Sequence, residues 1–66
     1  MKIMSTKQNI LAEMKTQKDT NDVDTALDYM NQLVEAGMDF PDAEAKVLDH
    51  FDGVSQDELQ EAYDSL

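Results

Sequence analysis

The sequence predicts an all-α protein, a small three-helix bundle with an additional N-terminal helix. Three observations lead to this prediction. Apolar residues recur at the i, i+3, i+4 and i+7 spacing of a helix face. Both glycines fall where a helix is expected to end, and a cap residue or the single proline falls where helices begin. No run of alternating apolar and polar residues indicates a β-strand.

The first predicted helix covers residues 6–18. Ser5 is its expected N-cap, and Gln8 completes a capping box. No glycine stops this helix, so we expect it to be the least stable of the four. Its apolar stripe is narrow and consists of Ile10, Leu11 and Met14.

The second predicted helix covers residues 22–36, with Asn21 or Thr20 as its N-cap. Gly37 stands where the left-handed residue of a Schellman motif belongs. The apolar face of this helix is the most regular in the chain and consists of Val23, Ala26, Leu27, Met30, Leu33 and Val34.

The third predicted helix covers residues 41–52. Proline suits its first position, because the N–H that Pro41 lacks would be unpaired there. Gly53 is expected to end this helix in the way that Gly37 ends the one before it. One face holds a single polar residue among apolar ones: Phe40, Glu44, Val47, Leu48 and Phe51.

The fourth predicted helix covers residues 56–66 and has the best-defined start. Ser55 and Glu58 form a capping box, and Val54 and Leu59 form the matching hydrophobic staple. Its buried stripe is expected to consist of Leu59, Ala62, Tyr63 and Leu66.

Charge is distributed unevenly along the chain. The 66 residues carry 15 acids against five lysines, which gives a formal net charge of -10. Residues 1–18 hold four of the lysines and one acid, whereas residues 19–66 hold one lysine and 14 acids. We therefore describe one small domain with a basic N-terminal helix or arm, residues 1–19, and an acidic bundle, residues 20–66.

Composition excludes several classes of function. Without cysteine there is no disulfide framework and no Cys-bearing zinc site. No stretch approaches the roughly 20 apolar residues of a membrane span, and lysines are too few for direct binding of nucleic acid. The N-terminus lacks the apolar region of a signal peptide, so a cytoplasmic location is expected.

Catalytic and metal sites are not expected either. His50 is the only histidine, and no nucleophile and orienting acid accompany it in a recognisable pattern. The stretch around Gly53 resembles half of an EF-hand loop, but Leu48 and Leu59 fall at the first and last ligand positions. We therefore expect no enzyme, no cofactor and no metal.

The acidic surface is the strongest functional signal. Carboxylates four residues apart on a helix stand about 6 Å from each other, comparable with phosphates along a DNA strand. A field of one sign also attracts a basic partner, although solubility alone remains an alternative. The hypothesis is a protein partner whose basic surface normally holds nucleic acid, bound as a phage-type inhibitor or DNA mimic would bind it. The expected contact residues are Asp49, Asp52, Asp57, Glu61 and Asp64.

A second interpretation is an adaptor with hydrophobic contacts. Residues 38–45, Met-Asp-Phe-Pro-Asp-Ala-Glu-Ala, resemble the first loop of the ubiquitin-associated domain, a three-helix bundle, and the resemblance extends over residues 25–66. It implies that Met38, Phe40 and the end of the last helix face the partner. The chain departs from that family at Asp39, where a loop glycine is usual.

The N-terminal stripe leaves further alternatives open. Ile10, Leu11 and Met14 could contact a partner, complete the core as a fourth helix, or pair with a second copy in a homodimer. A small structural subunit of a larger assembly, which orders its first helix on docking, is the third interpretation.

Overall fold

A computed structural model describes residues 6–66, which form four α-helices and no strand. The helices are α1 (Lys7–Met14), α2 (Val23–Glu35), α3 (Phe40–His50) and α4 (Gln56–Asp64). Helix α2 packs against each of the other three helices. The predicted all-α bundle with an additional N-terminal helix is therefore confirmed, and α2 is its central element.

The hydrophobic core surrounds α2 and receives at least one side chain from every helix. The rings of Tyr29 and Phe51 stack with centroids 6.3 Å apart, which joins α2 to the end of α3. Complete burial of a large apolar side chain contributes about 1.5–3 kcal/mol, so a core of this size can stabilise a short chain. The buried residues are Ile10, Met14, Ala26, Tyr29, Met30, Leu33, Ala43, Val47, Phe51, Val54 and Leu59.

Helix α1 is shorter than the sequence predicts. It ends at Met14 rather than at Lys18, and Lys15 is its C-cap. The Thr16 hydroxyl donates to the backbone oxygen of Glu13 at 2.6 Å. This bond gives the backbone a local alternative to another helical turn.

The start of α1 also differs from the prediction. Thr6 is the N-cap, and its hydroxyl accepts a hydrogen bond from the Asn9 N–H. The predicted capping box of Ser5 and Gln8 includes a residue outside the described range. What holds α1 in place is burial, because Ile10 and Met14 are only 3% and 1% exposed.

Helix α2 confirms its predicted end and corrects its predicted start. The N-cap is Asp22, whose carboxylate accepts from the N–H of Asp24, so neither Asn21 nor Thr20 caps the helix. Gly37 has a φ of 105°. The Met38 N–H donates to the oxygen of Leu33 and the Gly37 N–H to that of Val34, both at 3.0 Å, which is the Schellman pattern.

Gly53 does not end α3 in the predicted way. The helix ends at His50, and among the described residues only Gly37 has a positive φ. Gly53 instead donates its N–H to the oxygen of Thr20 at 3.1 Å, and a Cβ there would collide with the Asn21 side chain. The missing side chain therefore lets the α3–α4 loop approach the segment that precedes α2.

Helix α4 begins as predicted and ends early. The Ser55 hydroxyl accepts from the Glu58 N–H, and the Glu58 carboxylate accepts from the Ser55 N–H, so both bonds of the capping box are present. Val54 and Leu59 are both buried, as the hydrophobic staple requires. The prediction that Leu66 is buried is wrong, because it lies beyond the end of α4 and is 73% exposed.

Candidate protein-binding surface

All five acidic residues predicted to bind a partner are exposed. We call them the acidic surface: Asp49, Asp52, Asp57, Glu61 and Asp64. Asp49 lies in the last turn of α3, and Asp52 lies in the α3–α4 loop. The other three lie on α4 at spacings of four and three residues, which places them along one side of the helix.

The orientation of α4 follows from its sequence. Leu59 is buried, and Ala62 and Tyr63 are half-buried, so these residues face the bundle. The capping box fixes the first turn of α4, and Val54 and Leu59 enter the core on either side of that turn. Asp57, Glu61 and Asp64 therefore point to solvent; we call these three residues the α4 stripe.

The stretch of sequence around the α4 stripe contains no lysine or arginine that would offset its charge. Within the acidic surface, Asp49 is the residue that lines a groove with Lys15 and Lys46. Residues 47–66 hold six acids and no lysine or arginine. Among the hydrogen bonds of the described residues, the acidic side chain used in this stretch is Glu58, which closes the capping box. The carboxylates of the acidic surface are not used in that network, which leaves them available to a partner within the described part of the chain.

The predicted hydrophobic contact residues divide into two groups. Ile10 and Met14 are buried in the core, and Leu11 is half-buried against it. Met38 and Phe40 are half-buried at the start of α3. The N-terminal stripe therefore completes the core, whereas Met38 and Phe40 leave an apolar edge that solvent reaches.

The fold places Phe40 beside the end of α4. The rings of Phe40 and Tyr63 have centroids 5.0 Å apart and are tilted by 56°. The start of α3 and the end of α4 are therefore in contact at one side of the bundle. The sequence pattern of either helix on its own does not indicate this contact. Both residues belong to the partly buried layer around the core.

His50 has a structural role in the fold. Its Nε2 lies 3.0 Å from the backbone oxygen of Gln17, and because a carbonyl only accepts, Nε2 carries the proton. The side chain of Gln17 in turn donates to the hydroxyl of Tyr29 at 3.0 Å. The segment after α1 is therefore tied to both α2 and α3.

Within residues 6–66, no three His, Cys, Asp or Glu side chains are grouped so as to hold a metal ion. Nor does this part of the chain contain a helix with the length and apolar character needed to cross a membrane.

Two features of the structure were missed by sequence reasoning. The first is a groove between α1 and α3, lined by Lys15, Lys46 and His50 among others. The second is the burial of Glu44, which is only 6% exposed. The spacing of Glu44 among apolar residues of α3 was a usable signal for the second feature. Nothing in the sequence indicated the first, because α1 and α3 lie far apart along the chain.

Comparison of the chain with protein-family models, with curated proteins and with solved structures gives no match. The resemblance to the ubiquitin-associated domain therefore stays a prediction.

Proposed function

We propose that this protein is a non-enzymatic interaction protein that binds a basic surface on another protein through its acidic surface. The partner surface is of the kind that normally holds nucleic acid, so the protein would act as a cytoplasmic inhibitor or DNA mimic of phage type. The observation that carries the proposal is the α4 stripe, which is exposed and lies in a region without lysine or arginine.

Electrostatics support this choice over a purely solubilising surface. A surface that only keeps a protein soluble usually mixes both signs of charge. Here the acids of residues 47–66 have one sign, and the capped helix α4 holds three of them in a fixed row. Such a field speeds encounter with a basic partner and makes affinity fall as salt rises.

The test uses two variants with the same change in charge. The first is the triple variant Asp57→Lys, Glu61→Lys and Asp64→Lys on the α4 stripe. The matched control is Asp24→Lys, Asp28→Lys and Glu35→Lys, three exposed acids on α2. Both variants change one acid in the first turn and one near the end of a helix, so their effects on helix dipoles are comparable.

Each immobilised protein is used to capture partners from a nuclease-treated lysate. Capture is carried out at about 0.05 M and about 0.5 M salt, where the Debye length is roughly 14 Å and 4 Å. We expect a nucleic-acid-binding protein that is retained at low salt and released at high salt. The α4 variant should lose it, while the α2 variant keeps it. A partner that binds both variants equally, or that stays bound at high salt, contradicts the proposal.

The second candidate function is an adaptor that uses the apolar edge formed by Met38, Phe40 and Tyr63. The observation that favours it is the contact between Phe40 and Tyr63, with Met38 half-buried two residues before Phe40 in the chain. Its binding should tolerate salt and should fail on Met38→Lys, with circular dichroism showing that the bundle remains folded. Release of the partner by salt, or binding unchanged by Met38→Lys, contradicts this candidate.

A further inference from the structure

The groove between α1 and α3 concentrates the few cations of this acidic molecule. Its volume is about 300 Å³, and it is lined by Leu11, Met14, Lys15, Lys46, Asp49 and His50. Lys46 is the only lysine in residues 19–66, which hold 14 acids. This single lysine lies in the same groove as Lys15, which follows α1, so the fold brings together two cations from separate parts of the chain.

Each wall of the groove is held in place by the fold. Lys46 and His50 are four residues apart on α3 and therefore share one side of that helix. The His50 imidazole is fixed by its bond to the Gln17 oxygen and by edge-on packing on the Phe51 ring, with centroids 5.0 Å apart. Lys15 caps the end of α1, and buried Met14 anchors that end.

The lining of the groove combines apolar and charged side chains. Leu11 and Met14 line it from α1, and Met14 is buried in the core. The lining contains two ammonium groups and one carboxylate, that of Asp49. Its net charge is therefore positive even with a neutral imidazole. Sites for small organic ligands likewise combine apolar surface with charged or polar groups that fix the orientation of the ligand.

We propose that this groove binds a small phosphate monoester with an apolar body. A phosphate monoester carries a charge between about -1.5 and -2 near neutral pH and offers three oxygens, enough for two lysines on opposite walls. A carboxylate has half that charge and fewer oxygens. Large polyanions such as RNA are disfavoured relative to a small ligand, because a chain that extends beyond the groove meets more of the 14 acids of residues 19–66.

The test is a titration of the isotope-labelled full chain by NMR at neutral pH, with phenyl phosphate as the probe. We expect saturable shifts of the backbone amides of Leu11, Lys15, Lys46 and His50. Inorganic phosphate, which lacks the apolar ring, and benzoate, which lacks the second charge, should each bind at least about threefold more weakly. Equal affinity for either competitor overturns the assignment of the ligand class.

Two variants with equal charge localise the binding. Lys15→Gln with Lys46→Gln should weaken phenyl phosphate at least about tenfold, since each lysine supplies a charge-assisted hydrogen bond. The control is Lys7→Gln with Lys18→Gln, two exposed lysines outside the groove lining, which should change affinity less than about twofold. Absence of groove shifts, or equal losses in both variants, overturns the proposal. The acidic surface is tested separately, because the α4 variant leaves this lining unchanged.

Discussion

Gly53 is required by a close approach rather than by its backbone angle. A Cβ at this position would overlap the Asn21 side chain and would lie 3.0 Å from the oxygen of Thr20. Gly37 is the opposite case, with a φ of 105° and open space around the position of a Cβ. The same residue type therefore meets a steric requirement at one site and a conformational requirement at the other.

These two requirements predict different responses to a second substitution. Gly37→Ala should lower the free energy of unfolding by about 1 kcal/mol or more, because alanine is strained at this φ. Gly53→Ala should cost less, because the exposed Asn21 side chain can rotate away while the backbone oxygen of Thr20 stays close. Asn21→Ala should restore part of the loss at Gly53, because it removes the side chain with the largest overlap, and none of the loss at Gly37. Urea unfolding of the single and double variants measures this. Equal effects of Asn21→Ala on both glycine variants would contradict the steric explanation.

Glu44 is the buried polar residue of the core and is incompletely paired. Its Oε1 accepts from the side-chain amide of Gln56 at 3.2 Å, while Oε2 is buried and has no partner among the described residues. An unsatisfied buried polar atom costs about 1–3 kcal/mol. The partner Gln56 is exposed, so its amide can return to water if the carboxylate is removed.

Glu44→Met should therefore raise the free energy of unfolding by about 1 kcal/mol, because it removes the unpaired oxygen and keeps a chain of similar length. Glu61→Met is the matched control, with the same change in charge at an exposed site, and should stay within about 0.5 kcal/mol of the parent protein. Both values come from urea unfolding. A loss of stability in Glu44→Met would show that the carboxylate is better satisfied than this geometry indicates.

At the scale of the helices, the capping box of α4 is a reciprocal pair. The Ser55 hydroxyl accepts from the Glu58 N–H at 3.1 Å, and the Glu58 carboxylate accepts from both the N–H and the hydroxyl of Ser55 at 3.2 Å. Each side chain therefore satisfies a group on the other residue. The two residues should lose stability together rather than independently.

A double-mutant cycle tests this coupling. Ser55→Ala should cost about 1 kcal/mol, and the double variant with Glu58→Ala should cost at least about 0.5 kcal/mol less than the two single losses combined. Ser65→Ala is the control at the other end of α4, where the hydroxyl donates to the Glu61 oxygen at an exposed site. Thermal unfolding followed by circular dichroism gives the values, and strict additivity would mean that the pair acts as two separate caps.

Local sequence signals explain which parts of the fold could be predicted. The predictions of the α4 capping box and of the Schellman motif that ends α2 were correct, because each depends on residues within one or two helical turns. The prediction for Gly53 was wrong because this residue approaches Thr20 and Asn21, which are distant in sequence. The predicted end of α1 was wrong because no glycine or proline follows this helix to mark where it stops.

The same distinction applies to the candidate sites. The exposure of the α4 stripe could be predicted, because the buried and exposed sides of a capped helix alternate in a known period. The α1–α3 groove could not be predicted, because it depends on how α1 packs, and no local signal indicates that Lys15 and Lys46 line the same groove. Burial of Ile10 and Met14 favours the alternative in which the N-terminal stripe completes the core, and pairing with a second copy stays a prediction.

Across the whole molecule, the dominant electrostatic term is repulsion among 15 acids in a body with a radius of gyration of 11.3 Å. At about 0.01 M salt the Debye length is about 30 Å, which approaches the longest dimension of the molecule, 38 Å, so most carboxylates repel one another. At about 1 M it is about 3 Å, shorter than the distance between carboxylates on adjacent helical turns. Self-repulsion destabilises the compact state, so its screening stabilises the fold.

Sodium chloride should therefore raise the melting temperature of this protein, and the size of the increase should depend on net charge. Each acid-to-lysine reversal adds two charges, so three reversals change the net charge from -10 to -4. The α4 variant and its α2 control should both melt higher than the parent protein at low salt and gain less from added salt. Differential scanning calorimetry between about 0.01 M and about 1 M salt measures both effects. An equal gain in all three proteins would assign the salt effect to strengthened apolar burial instead of charge screening, because burial does not depend on net charge.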